Sequence, residues 1–180
     1  GLPSSRCAVA ADARTEEKAR LEACERSLCE ILVRRETQGG DLACDLSKTW
    51  GREQVKAGAE SKSLSWSLGD VRCRVVLAAP RRSLIDALTT SEYLLRLEPH
   101  TVRCEIVDEG DSTTVTITMA PRLQTKDGKV VNAWLGLSQI EAPPVIKGAL
   151  WTVAELEDKF GLFNGELVKE MNKFIRKRCP

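Results

Sequence analysis

The chain has 180 residues, and 27 Lys+Arg against 26 Asp+Glu leave a formal charge of +1, so no overall field draws it to nucleic acid, a membrane or an acidic substrate. An apolar share of 42% with 29% charged residues reads as globular rather than disordered, and the length suffices for one self-supporting core. No apolar run approaches the ~20 residues that a transmembrane helix needs, so no transmembrane segment is expected.

Residues 1 to 14 carry no periodic apolar pattern and are expected to form a flexible N-terminal tail, leaving 15–180 as a single α+β domain. The chain opens Gly-Leu-Pro-Ser-Ser with no initiator Met and no visible signal peptide, as a mature or trimmed form would. Thr15, followed by Glu16 and Glu17, is placed to cap a helix and complement its dipole. Leu21, Cys24, Leu28, Ile31 and Leu32 then recur at helical spacing up to Gly39-Gly40. Residues 41–46 have no clear pattern, and a weak helix over 49–60 is burdened by Gly51 and Gly58.

Strand patterning begins at Leu64. Leu64, Trp66 and Leu68 alternate with polar residues up to Gly69-Asp70, and Val71, Cys73, Val75 and Leu77 alternate after it. A two-residue loop there predicts a hairpin with Trp66 opposite Cys73. Pro80 opens a short helix with Leu84, Ile85 and Leu88 inward, and Ser83 with Asp86 resembles a capping box. Tyr93, Leu95 and Leu97 make a strand that Pro99 ends.

The strongest pattern covers 101–141. A loop at Gly110-Asp111 sets Ile106 against Val115, Cys104 against Ile117 and Val102 against Met119, all on one face. A three-residue loop, Lys126-Asp127-Gly128, then pairs Met119 with Leu135 and Ile117 with Leu137, completing a three-stranded antiparallel meander. Pro143-Pro144 breaks the chain. Thr152 with Glu155 resembles a second capping box, and Asn164 is placed to cap a last helix with Leu167, Val168, Met171, Phe174 and Ile175 on one side. The expected fold is α+β: an antiparallel sheet of about six strands, hairpin plus meander, packed by N-terminal and C-terminal helices.

Seven cysteines are spread singly, with no C-x-x-C, which disfavours a zinc ribbon or a thioredoxin-type pair. Such spacing favours structural disulfides in a periplasmic or secreted protein over reduced thiols in a cytoplasmic one. Cys24, Cys29, Cys44, Cys73, Cys104 and Cys179 are the disulfide candidates, with pairing open, and Cys7 is the spare. His100 is the sole histidine. Neither G-x-S-x-G nor H-E-x-x-H occurs, and no glycine-rich phosphate loop appears, so no cofactor is expected. Asp108, Glu109 and Asp111 lack the spacing of a calcium loop and read as turn chemistry.

Lys173, Arg176, Lys177 and Arg178 suit the C-terminal dipole of the last helix, with contact to a phosphate-bearing or acidic partner as the second reading. Trp134 should lie on the face of the meander opposite Ala133 and Leu135, under a helix or beside a ligand groove. Few aromatics, 4%, argue against nucleic acid. The expected function is a non-enzymatic binding or protein-interaction module whose partner is another envelope or extracellular protein. The alternatives are a hydrolase or thiol-dependent enzyme assembled around His100, and a structural subunit pairing through a sheet edge or the basic last helix.

Overall fold

The computed structural model describes the backbone of residues 2–179 and the side chains of residues 13–179. In chain order the elements are α1 (Leu2–Arg34), β1 (Leu42–Trp50), α2 (Arg52–Ser61), β2 (Val71–Ala79), α3 (Arg81–Thr89), β3 (Glu92–Arg96) and β4 (His100–Asp108). Then follow β5 (Asp111–Met119), β6 (Arg122–Lys126), β7 (Lys129–Trp134), β8 (Leu137–Glu141), α4 (Pro144–Phe160) and α5 (Asn164–Arg178). The fold is mixed α+β with antiparallel pairing throughout. Its strands divide into a five-stranded sheet ordered β1-β2-β4-β5-β8 and a three-stranded sheet ordered β3-β6-β7, where one sheet of about six was expected.

The expected tail over 1–14 falls largely on residues whose side chains lie outside those described. Helix α1 starts at Leu2, so Thr15 lies inside it rather than capping it. The hairpin expected at Gly69-Asp70 does not form. Leu64, Trp66 and Leu68 belong to an irregular segment, while β2 pairs with β1 along its whole length and with β4 over Val71 to Arg74. A strand has two edges, and both edges of β2 are thus taken at its start. Trp66 and Leu68 still pack on the Cys104–Ile106–Val115 core, so their alternation reports burial without pairing. Gly69 is needed for another reason: a Cβ there would collide with the Val107 carbonyl oxygen.

The β4–β5 hairpin forms with a different turn. Glu109 and Gly110 both have positive φ, 48° and 88°, the signature of a type I′ turn. Cys104 therefore faces Val115 and Val102 faces Ile117. This register differs by an even number of residues from the expected one, so Ile106 and Val115 stay on the same buried face. It also brings the Ser112 and Thr114 hydroxyls onto the Glu105 carboxylate on the open face.

At the next turn, Asp127-Gly128 is a two-residue loop closing Lys126 on Lys129, not the three-residue loop expected. Alone it would turn the apolar residues outward. A bulge after Gln124 inserts Val131 unpaired and restores the parity, setting Leu123 opposite Ala133 and Met119 opposite Leu137. Between these ladders the hairpin bends at Ala120-Pro121 and Leu135-Gly136, passing from one sheet to the other. Gly136 has φ +63°, and a Cβ there would strike the Ala120 carbonyl oxygen.

The helices also depart from their expected caps. Pro80 precedes α3 without a side-chain cap, and Ser83 with Asp86 makes no capping box. Helix α4 begins at Pro144, which puts Thr152 in its interior, hydrogen-bonded through its hydroxyl to the Gly148 carbonyl. Gly161 ends it in the left-handed conformation. Asn164 does not cap α5. Its side-chain oxygen accepts from the Ala133 amide at 2.7 Å, and Asn172, two turns on, exchanges two hydrogen bonds with the Val130 backbone. These asparagines satisfy the open edge of β7 and seat α5 on the smaller sheet.

Candidate functional site

The six candidate cysteines stand in three disulfides: Cys24–Cys44 ties α1 to β1, Cys29–Cys179 ties α1 to the end of α5, and Cys73–Cys104 joins the facing strands β2 and β4. The side chain of Cys7 lies outside those described. Bonded sulfurs are not nucleophiles, so these six offer no thiolate chemistry.

His100 is buried at the start of β4, and its ring is committed to backbone. Nδ1 lies 2.6 Å from the Glu98 carbonyl oxygen, and Nε2 lies 3.0 Å from the Ala78 amide nitrogen and 3.1 Å from the Ala78 carbonyl oxygen. Among the described residues no carboxylate hydrogen-bonds this ring, and the geometry needed for an oriented general base is not assembled there. Nor does any group of three or more His, Cys, Asp or Glu among the described residues stand close enough to hold a metal ion.

Asp41 accepts from the Arg81 amide, and Asp45 pairs with Arg20 at 3.1 Å. Trp134 faces Arg122 across β6–β7, with the guanidinium 5.0 Å from its ring centre, a cation–π contact on one face of the ring. Of the basic residues in α5, Arg178 pairs with Glu25 of α1 at 3.3 Å.

The feature no motif announced is an apolar cavity of about 430 Å³ where the two sheets meet beneath α5. Leu28 and Leu32 of α1 form one side, with Leu77 and Ala79 of β2 behind them and Leu84, Ala87 and Leu88 of α3 next to them. Leu95, Leu123, Val130 and Leu135 come from the smaller sheet and the bend below it, and Met171, Phe174 and Ile175 of α5 close the cavity. Leu84 and Leu88 of α3 and Met171, Phe174 and Ile175 of α5 sit on the inward stripes read from helical spacing. Buried Thr125 also lines it, but its hydroxyl donates to the Ala87 carbonyl at 2.7 Å and offers the interior no free donor. Glu170 is the one charged residue of the lining and is itself exposed.

The wall is held by polar contacts outside it. Glu157, 1% exposed, accepts from the Leu135 amide at 3.2 Å and from the Phe163 amide at 2.8 Å. One carboxylate thus joins α4, the sheet bend and the turn into α5. The lining reaches the cavity from eight elements, Leu42 of β1 included, and from the connections that carry Leu97, Pro121 and Leu135, and the space between them is a property of their packing. An aliphatic chamber of this kind can hold hydrocarbon by dispersion and desolvation, and it presents nothing for recognising a polar interior group.

Among the described residues no helix is long and apolar enough to cross a membrane. Comparison with protein-family models, with curated proteins and with solved structures finds no match for this chain.

Proposed function

We propose that the protein is a secreted or periplasmic binding module that takes an apolar small molecule into the cavity under α5 and performs no covalent chemistry on it. The observation that carries this reading is the combination of a 430 Å³ chamber with an aliphatic wall whose one buried hydroxyl is already bonded. An apolar cavity of roughly 150 Å³ already suffices to stay dry and take up benzene, and this chamber is nearly three times that size. Three disulfides support an oxidising compartment. The partner expected from sequence, another envelope or extracellular protein, enters as the donor or acceptor of the ligand.

The test uses Nile red, a neutral dye that brightens in apolar surroundings, titrated into the oxidised protein. Saturable binding of one dye per chain is expected. The variant Ala87→Phe, which pushes a ring into the chamber, should abolish it while far-UV circular dichroism and the melting temperature stay at or above those of the parent. Absence of saturable binding by the parent, or equal binding by a folded Ala87→Phe, would overturn the reading.

A further inference from the structure

Resting on that reading, we propose that the ligand is a single-chain amphiphile with an anionic head, its aliphatic tail in the chamber and its carboxylate or phosphate against Arg35, Lys129 and Arg176. Leu32, Leu88 and Ile175 line both the chamber and a second cavity of about 680 Å³, and the ligand's tail would pass through this shared apolar neck. Beyond this neck the lining changes from aliphatic to basic: Arg35 just past α1, Lys129 at the start of β7 and Arg176 in the last turn of α5, with Asp127 as the one acid.

Three cations against one carboxylate leave the mouth positive in a chain whose net charge is only +1. Among the described residues the ion pairs engage Lys18, Arg20, Arg34, Lys62, Arg72, Arg82, Arg103 and Arg178, but none of these three; Arg35 donates through Nε to the Leu32 carbonyl at 3.2 Å. A helix dipole accounts for a cation at the end of α1 or α5; it does not account for Lys129 on a strand, nor for the convergence of all three on one apolar neck.

The orientation follows from desolvation. The chamber contains no positive group and no free donor, so a buried anion would lose its hydration uncompensated. At the mouth the same anion keeps water and gains charge-assisted hydrogen bonds, with Arg suited to bidentate contact. Each added methylene of the tail should then tighten binding roughly fourfold until the chamber is full. Exposed cations contribute up to roughly fivefold each at low salt, so the anionic head should be favoured by about tenfold or more over a neutral one.

The experiment displaces Nile red from the oxidised full chain with four C12 probes: dodecanoate, dodecyl phosphate, dodecanol and dodecyltrimethylammonium. Dodecanoate or dodecyl phosphate should bind about tenfold or more tighter than dodecanol, with the cationic probe weakest, and the preference should shrink as NaCl is raised. Whichever anion is tighter identifies a free fatty acid or a phosphate-headed lipid as the source. The exposed double variant Lys129→Gln/Arg176→Gln should lose most of the preference while still binding dodecanol. Equal affinity for dodecanol and both anions, or a preference untouched in the double variant, would overturn the head-group assignment and leave the apolar-ligand reading standing. Failure of the dye and all four probes to bind would overturn both.

Discussion

Replacing Cys29 and Cys179 with alanine should cost about 5 kcal/mol of stability, the largest loss among the three disulfides on chain-entropy grounds. The bond closes a sequence separation of 150, against 20 for Cys24–Cys44 and 31 for Cys73–Cys104. Loop-closure entropy places those two shorter bonds near 3 and 4 kcal/mol. Cys73–Cys104 lies within the long loop and shortens its free contour by about a fifth, a correction of roughly 0.2 kcal/mol because the dependence is logarithmic. Cys29 and Cys179 are only half-buried, so alanine there removes little packing and the measurement isolates the constraint. Cys24, Cys44 and Cys104 are in the core, where substitution would add a cavity cost.

The assay is urea unfolding of the double variant and the parent, followed by tryptophan fluorescence and by far-UV circular dichroism. None of Trp50, Trp66, Trp134 and Trp151 lies on α5, so the two signals report different parts of the molecule. Coincident transitions shifted to lower urea are expected, since Asn164 and Asn172 still seat α5 on β7. A loss below about 2 kcal/mol, or helix signal lost early while the tryptophan transition stays put, would refute the reasoning. The bond would then be holding one helix in place rather than restricting the unfolded chain.

Glu157→Ala should destabilise by roughly 2–4 kcal/mol in the same assay, because two half-buried amides lose their acceptor. Glu157→Gln should recover at most part of this, and a near-neutral alanine variant would show that those bonds are not what holds the bend. The Glu105 carboxyl is held below the usual glutamate range, first by the Thr114 hydroxyl, then by Ser112, with Arg103 adding an attractive charge. Its folded pKa lies below the unfolded one, so its contribution is present above the unfolded value and is lost as pH falls through the folded value. Thr114→Val should move the carbon-13 titration of Glu105 upward, and an unmoved curve would reject the hydroxyl as its main cause. With six of seven cysteines bonded, alkylation under denaturing, non-reducing conditions should label one thiol per chain, Cys7; three or more labelled thiols would contradict the disulfide set.

Much of the fold was legible because its signals are local. Alternation over 102–107 and 115–119 marked the faces of β4 and β5 correctly even though the turn sits one residue earlier, since a shift of two in pairing leaves every side chain on its own face. Parity failed as a guide where neighbours decide. Leu64, Trp66 and Leu68 alternate like a strand, but the edge of β2 they would have joined belongs to β1 or β4. Asn164 looked like a cap because caps and edge-satisfying amides use the same side chain, and only the approach of β7 selects between them.

The amino-acid order by itself determined the α+β class, the inward stripes of α3 and α5 and that of α1 from Cys24 onward (Leu21 is exposed), and the reserve of cysteines for architecture, because periodicity and spacing act over a few residues. Only the tertiary structure decided which cysteines meet, that His100 turns both ring nitrogens to backbone, and that aliphatic side chains from distant segments leave a chamber with cations at its neck. A void has no residue of its own: it is the volume that remains when helices and strands reach closest packing everywhere else, and no local pattern encodes that remainder.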